Sequence, residues 1–463
     1  MRRMEPRPMR LHRSVEPLFG LVIAALSLAS LAKAEETLIA NPQPNNFSYG
    51  ADVGVGVTDN VTLVPTDRVN QTIATADLDF SVQQATRLLS ADLKGNFSYL
   101  DYLQDAYSAN LIGRFDGVAH AALIPERLTW TLQDDFGQGQ VNAFTAPTPD
   151  NRENINYLST GPNLWLRFAG TGFFELSARY ARSQYSISPF DSNRVLGSFE
   201  LGDLLSARSS ISLNGVTEHV LFENTSINTD FDRTSAYAHY EISGARTQLT
   251  ANLGGTEITQ NGSSTSGPLA KLQVDRKVSP ATRIIFSVGR ELTDASTGFS
   301  TAQTGAIGAI SVTPATVTAN SYTSDYASVG WNYERNRTTF GLSGRWEKDS
   351  YAQHPELDVT REGGEFSLAE KLTHALSVQL LGSLYTTDYP HTYFVATNGS
   401  SSIQDERVGA ALTLREGRAL VFRLRFDHIS RAVSGNAGVP GFHANTVFLT
   451  VGYRPRPADI TPD

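Results

Sequence analysis

Between residues 47 and 453 the chain repeats one unit: an alternating apolar and polar segment of strand length, a tight turn, a second such segment, and a longer polar connection. Nearly every strand then has two faces of opposite polarity, and no helical periodicity supplies an element to cover either. Such a sheet is satisfied when it closes on itself in a bilayer, with its apolar side outward and its polar side around a lumen.

The connections set the cadence. Short turns fall near 84–87, 124–127, 169–172, 206–209, 244–246, 278–282, 335–337, 372–375 and 416–418. The stretches 57–72, 137–155, 222–232, 259–267, 293–320, 389–402 and 431–443 are longer and rich in Gly, Ser, Thr, Asn and Pro. Strict alternation of short and long connections predicts an all-β fold, a single antiparallel up-and-down transmembrane barrel of about 20 strands (18 to 22). Its short turns would be periplasmic and its long loops extracellular.

Facing residues of a hairpin must point the same way, which sharpens the reading. Leu164, Leu166 and Phe168 alternate before the turn at Gly170, and Phe174, Leu176 and Ala178 alternate after it. Folding at that turn pairs Phe168 with Phe174 and Leu166 with Leu176. Across 416–418, Val408, Ala410, Leu412 and Leu414 share a face with Leu420, Phe422, Leu424 and Phe426. The opposite face carries Arg407 and Arg415 on one strand and Arg423, Arg425 and Asp427 on the next. An Arg at the bilayer midplane costs about 2–4 kcal/mol, so these groups are expected in the lumen. Leu342 and Trp346 likewise oppose Arg345 and Glu347, while Ile284, Phe286 and Val288 oppose Arg283, Ser287 and Glu291. The final segment, 446–453, alternates too and ends on Tyr453. Amphipathic rings near strand ends (Tyr99, Tyr102, Tyr107, Trp130, Phe136, Tyr157, Tyr180, Tyr185, Tyr240, Trp331, Tyr333, Trp346, Tyr351, Tyr389 and Tyr393) are expected to form interfacial girdles. For Tyr237 and Tyr385, on the polar face, a sugar-stacking role is the competing reading.

The start of the chain supplies a route to the membrane. Arg2, Arg3, Arg7, Arg10 and Arg13 precede an apolar run over 18–31, which ends in Ala32-Lys33-Ala34 before Glu35. This is the order of a secretory signal, so residues 1–34 are expected to be removed, leaving a short periplasmic segment 35–46, a barrel over 47–453 and a periplasmic tail 454–463. Taking the leader's six basic and two acidic residues from 38 Lys+Arg and 47 Asp+Glu leaves 32 against 45, a formal charge of −13. That balance argues against a nucleic-acid partner. With no cysteine in the chain, neither disulfides nor thiolate metal sites contribute.

The stretch from Tyr49 to Asn214 resembles a known family. Thr58-Asp59-Asn60-Val61-Thr62-Leu63-Val64-Pro65 follows a first strand, and Phe174-Glu175-Leu176-Ser177-Ala178-Arg179-Tyr180 leads through Tyr185 and Asp191 to Leu204-Leu205-Ser206-Ala207-Arg208. These segments are similar to outer-membrane β-barrel porins, some of which accompany exopolysaccharide or exosortase (PEP-CTERM) systems. The resemblance implies a Gram-negative outer-membrane location and a link to exopolysaccharide export; it transfers no site residue.

The lumen is therefore where function is expected. The first strand begins too soon after the leader for an N-terminal plug, so the pore is open unless a loop folds inward, and 293–320 is the candidate constriction. In the register above, Arg407 lies opposite Asp427, whereas Arg423 and Arg425 face Ala411 and Gly409 and lack an acidic partner. That stripe would favour anionic solutes, with Asp275, Glu291, Glu347 and Glu365 also pointing inward. Arg407, Arg423, Arg425, Asp427, Arg345 and Glu347 are thus the candidate selectivity residues. The expectation is a passive channel for small polar or saccharide solutes, without cofactor or chemistry of its own, in contact with lipid, lipopolysaccharide and barrel-assembly machinery; monomer and trimer both fit. A structural or assembly platform for surface polysaccharide is the alternative. A lipid hydrolase is a lesser one, resting on His428 and Ser430 in Asp427-His428-Ile429-Ser430. Scattered His120, His239, His374 and His443 lack metal-ligand spacing, Gly54-Val55-Gly56 has no following helix to cradle a phosphate, and Asp134-Asp135 is expected to be solvated at a strand's outer end.

Overall fold

The computed structural model describes residues 46–455, apart from 143, 169, 304–312, 317–319, 392–399 and 436–439. The expected leader, most of the segment 35–46, Tyr393 and the tail beyond 455 lie outside the described residues.

Ten hairpins are joined across the long-loop end. They are β1 (Asn46–Thr58) with β2 (Gln71–Ala85), β3 (Leu89–Tyr102) with β4 (Asn110–Ile124), and β5 (Leu128–Gln140) with β6 (Arg152–Phe168). Next come β7 (Gly172–Tyr185) with β8 (Ser192–Ser206), β9 (Ser209–Phe222) with β10 (Phe231–Ser243), and β11 (Thr247–Gln260) with β12 (Ser263–Ser279). β13 (Thr282–Asp294) leads through helix α1 (Ala295–Gln303) and the four-residue β14 (Thr313–Thr316) to β15 (Ser321–Arg335). The last are β16 (Thr338–Ser350) with β17 (Val359–Lys371), β18 (Leu376–Tyr389) with β19 (Ser401–Glu416), and β20 (Leu420–Gly435) with β21 (Phe442–Tyr453).

Setting aside β14, the strands form one closed antiparallel wall of twenty. Closure is made by β1 against β21, from Ala51 opposite Tyr453 to Thr58 opposite Thr446. Among the described residues no helix is long and apolar enough to cross a membrane.

Period-2 alternation decides which side each residue faces. Val53, Val55 and Val57 lie outward on β1, continuous with Val451, Leu449 and Val447 on β21, and all six are exposed. Leu176, Phe199, Leu213, Leu253, Trp331, Leu342, Leu412 and Leu424 continue this apolar belt around the wall. Exposed apolar surface this extensive is costly in water and is the natural boundary with lipid.

Two expectations need correction. The 259–267 stretch is not a long loop: β11 and β12 meet at Asn261-Gly262, whose positive φ values of 52° and 74° make a two-residue turn. Asn and Gly tolerate that left-handed backbone, and the turn's twist matches the hairpin it closes. Long and short connections therefore do not alternate strictly, and further long-end loops occur at 103–109, 186–191 and 351–358. Registers also slip by two residues. Leu166 pairs with Phe174 and Leu164 with Leu176, while Arg425 pairs with Ala411 and Asp427 with Gly409. Because the slip equals one full side-chain period, no residue changes face.

The aromatic set divides into exposed and buried members. Tyr99, Trp130, Tyr180, Trp331 and Trp346 are exposed, as girdle residues should be. Tyr102, Phe136, Tyr157, Tyr185, Tyr351 and Tyr389 are instead buried, packed within the wall or beneath loops.

The wall generates a direct test. Leu253, 70 % exposed, stands on the outer face at mid-strand of β11, and Asn252 beside it faces the lumen. Leu253→Arg is expected to cost about 2–4 kcal/mol in urea unfolding from phospholipid vesicles, and Asn252→Arg far less.

Candidate functional site in the barrel mouth and lumen

At the long-loop end two connections fold across the opening. The first leaves β13 and turns inward at Asp294, which is 3 % exposed. Asp294 Oδ1 accepts the Ser296 backbone N–H at 3.1 Å and the Thr297 N–H at 3.3 Å, and Oδ2 accepts the Thr297 hydroxyl at 2.7 Å. It therefore supplies acceptors to the free donors of the first turn of α1.

The same carboxylate is the hub of a buried charge network. Arg194 of β8 reaches Asp294 Oδ1 from Nη2 at 2.7 Å and Glu218 Oε1 of β9 from Nη1 at 3.1 Å. Arg233 of β10 reaches Asp294 Oδ2 from Nη1 at 3.3 Å and also pairs with Glu218. Two guanidinium groups thus face two carboxylates, and Arg194 is 1 % exposed. Charges buried this far are tolerated when paired and hydrogen-bonded, and removal of one partner is costly. On the far side of α1, Tyr185 Oη and Ser296 Oγ lie 2.8 Å apart, and Phe299 packs on Ile155 and Tyr185. The connection then reaches β5, where Thr313 pairs in parallel with Gly139 and Thr316 with Gln140. The described parts of the expected constriction, 294–299 and 313–316, fold inward.

A second inward connection, 141–151, was not singled out by the sequence. Asn151 Nδ2 donates to Asn142 O at 2.8 Å and Ala146 O at 3.0 Å, giving the loop an internal frame. Its tip meets the far wall: Phe144 lies 4.3 Å from Tyr389 between ring centroids, and Arg431 Nη1 of β20 donates to Thr145 O at 2.9 Å. Asp405 of β19 holds that Arg431 through two contacts of 2.6 and 2.9 Å. Together the two connections bridge from β13 to β5 and from β5 to β20.

The upper half of β5 carries both attachments and is covered on both faces, from Asp134 to Gln140. Its ladder with β4 ends at Phe115 opposite Phe136, and above this Gln138 Oε1 accepts the Gly113 N–H at 3.0 Å. Asp134 and Asp135, expected to be solvated, are 5 % and 2 % exposed. Asn156 Nδ2 donates to Asp134 at 2.9 Å and Gln133 Nε2 to Asp135 at 2.8 Å. The correction has a physical cause: a strand sealed behind by the rings of Phe97, Phe115 and Phe136 and in front by the connections has no solvated face.

The residues nominated for selectivity all face the lumen. Toward the short-turn end, Asp427 is shared: Arg407 Nη2 lies 2.9 Å and Arg425 Nε 2.5 Å from its carboxylate. Arg425 is therefore not unpaired: Asp427 stands two residues along the same strand on the same face, a neighbour that a count of facing residues across the hairpin overlooks. Among the described residues Arg423 makes no ion pair, while Arg454 from beyond β21 pairs with Asp52 and Asp79. Arg345 and Glu347 pair with one another at 3.0 Å on β16, and Arg361 of β17 reaches Asp349 at 3.1 Å.

His428 and Ser430 do not meet. The His428 ring lies 2.8 Å from Asn445 Oδ1, Asn445 Nδ2 donates to Asp59 at 2.7 Å, and the Ser430 hydroxyl donates to Glu406 at 3.5 Å. Burial pulls the Asp59 carboxyl upward, but the backbone and side-chain N–H groups of Asn445 outweigh it and hold Asp59 below the usual carboxylate range. Among the described residues no group of His, Asp and Glu is arranged to hold a metal.

Comparison with known proteins adds little. No protein-family model and no curated protein matches the sequence. Among solved structures the chain is similar to the siderophore receptor PirA from Pseudomonas aeruginosa, at 14 % identity over 89 % of this chain and 81 % of that one, with a TM-score of 0.40. It is similar to a variant of the ferric enterobactin receptor PfeA from the same organism, at 10 % identity over 90 % and 81 % with a TM-score of 0.45. The FrpB iron transporter from Neisseria meningitidis gives 10 % over 89 % and 82 %, with a TM-score of 0.42. Superpositions this partial say nothing of what the barrel carries.

Asp294→Ala removes both the helix cap and the hub of the charge network. Loss of one partner from such a network costs about 3–5 kcal/mol. The expected result is release of α1, read as faster amide exchange over 295–299 while the strands of the wall stay protected.

Proposed function

We propose that the protein is an outer-membrane channel of porin type for small polar or saccharide solutes, with an outer mouth narrowed by its own in-folded connections. The observation that carries this reading is the lumen wall, where Arg, Asp, Glu, Tyr, Ser and Thr side chains replace the apolar residues of the outer face on the same strands. A purely structural anchor has no need of a charged interior. The half of the lumen toward the short turns is lined by Arg407, Arg415, Arg423, Arg425 and Arg454 with Asp52, Asp79 and Asp427, and among the described residues Arg423 makes no ion pair. This supports at most a mild preference for anions, weaker than a stripe of two unpaired Arg would give. Lipopolysaccharide and the barrel-assembly machinery are its proposed membrane partners, and surface-saccharide export is the pathway to which its sequence resemblance points.

Purified protein in a planar lipid bilayer is expected to give stepwise, ohmic conductance, and to let uncharged sugars of small size equilibrate across vesicles. Absence of both would refute the channel. Asp427→Ala frees Arg407 and Arg425 together and is expected to move the reversal potential in a salt gradient toward anions. Arg423→Ala should move it the opposite way.

A further inference from the structure

We infer that the lumen wall from β15 to β18 is a binding platform for a neutral oligosaccharide, with Tyr326 and Tyr385 as stacking surfaces and Arg345, Glu347 and Glu365 as hydroxyl partners. The inference rests on the channel reading and names its solute class. The pairing registers place these groups on one continuous face. Tyr326 stands opposite Glu347, Arg345 is opposite Gly363, and Gly363 is opposite Tyr385. Glu365 stands opposite both Ser343 and Ser383.

Glycines set how the two rings lie. A Cβ at position 289, opposite Tyr326 on β13, would come within 2.5 Å of the Tyr326 Cζ, and one at 363 within 2.6 Å of Tyr385 Cδ1. Each ring therefore leans over the space that a side chain would fill and lies along the wall, with one face toward the channel. Among the described residues neither tyrosine hydroxyl has a hydrogen-bond partner, although both residues are half-buried. Three strand spacings separate them, about 14 Å at roughly 4.8 Å each. One sugar ring cannot cover that span, and a short chain of rings can.

The polar groups between the rings suit vicinal hydroxyls. Arg345 is half exposed and held by Glu347 at 3.0 Å, and Glu365 accepts the Ser343 hydroxyl at 3.2 Å, which leaves lone pairs and N–H groups facing the lumen. In the rows spanned by the two rings, 343–349 of β16 and 361–365 of β17, the charged lumen groups are Arg345 and Arg361 against Glu347, Asp349 and Glu365, one carboxylate in excess. That excess repels uronic acids and leaves uncharged sugars as the matching class. The platform differs in this respect from the arginine-rich opening toward the short-turn end.

The test is block of bilayer current by maltotriose and by trigalacturonate, with calorimetric titration of the same sugars into detergent-solubilised protein. Maltotriose is expected to block wild type, and trigalacturonate more weakly. Loss of two stacking contacts should weaken maltotriose block about tenfold in Tyr326→Ala/Tyr385→Ala. Glu347→Gln, which keeps the shape of the site, should weaken it several-fold. Equal block in the double variant, or stronger block by trigalacturonate, overturns the platform. Heat of maltotriose binding that is lost in the double variant, without any current in wild type, keeps the platform and refutes the channel; current with no maltotriose binding does the reverse.

Discussion

Backbone pairing between β1 and β21 is the constraint on which the rest of the architecture depends. In hydrocarbon an unpaired N–H or C=O costs several kcal/mol, and an open sheet would present a whole row of them at each edge. Eight facing residue pairs, from Ala51 with Tyr453 to Thr58 with Thr446, join the first strand to the last. Once the edges vanish, each strand is free to place apolar residues outward without sheltering its backbone. Its inner face can then be given over to charge, as Arg345, Glu347, Arg425 and Asp427 show.

The mouth is organised by a different force. Both inward connections are held by charged or polar groups from strands distant in sequence; one arrives at β5 and the other departs from it. Arg194, Glu218 and Arg233 lie on three consecutive strands and converge on Asp294 from a fourth. Arg431 does the corresponding work for 141–151, donating to Thr145 while Asp405 fixes its guanidinium. The aromatic contact of Phe144 with Tyr389 adds an apolar footing. A wall that is uniform on its outer surface thus has an interior graded from buried ion pairs at one end to a mixed arginine and aspartate lining at the other.

Facing direction was legible in the sequence because it depends only on whether a position is odd or even along its strand. Register was less so: the 416–418 turn allows pairings two residues apart, and only packing selects between them. That small shift moves Asp427 from opposite Arg407 to opposite Gly409, whereas its pairing with Arg425, two residues away on the same strand, holds in either register. The Asn261-Gly262 turn carried its own local signal, an Asn-Gly pair between alternating segments, obscured by the Ser and Thr residues that follow. Tyr99 and Tyr102 differ in parity on one strand, so the division between outer belt and interior could have been read there. The convergence on Asp294 could not, since Arg194, Glu218 and Arg233 appear in sequence simply as polar-face residues. Their partner lies in a loop whose direction no local pattern encodes.

Asp294 unites two tasks that proteins usually give to separate residues. Its oxygens begin helix α1 and also receive the guanidinium groups of Arg194 and Arg233. Winding of the helix and its fastening to the barrel are therefore coupled through one carboxylate, so a change that weakens either weakens the other.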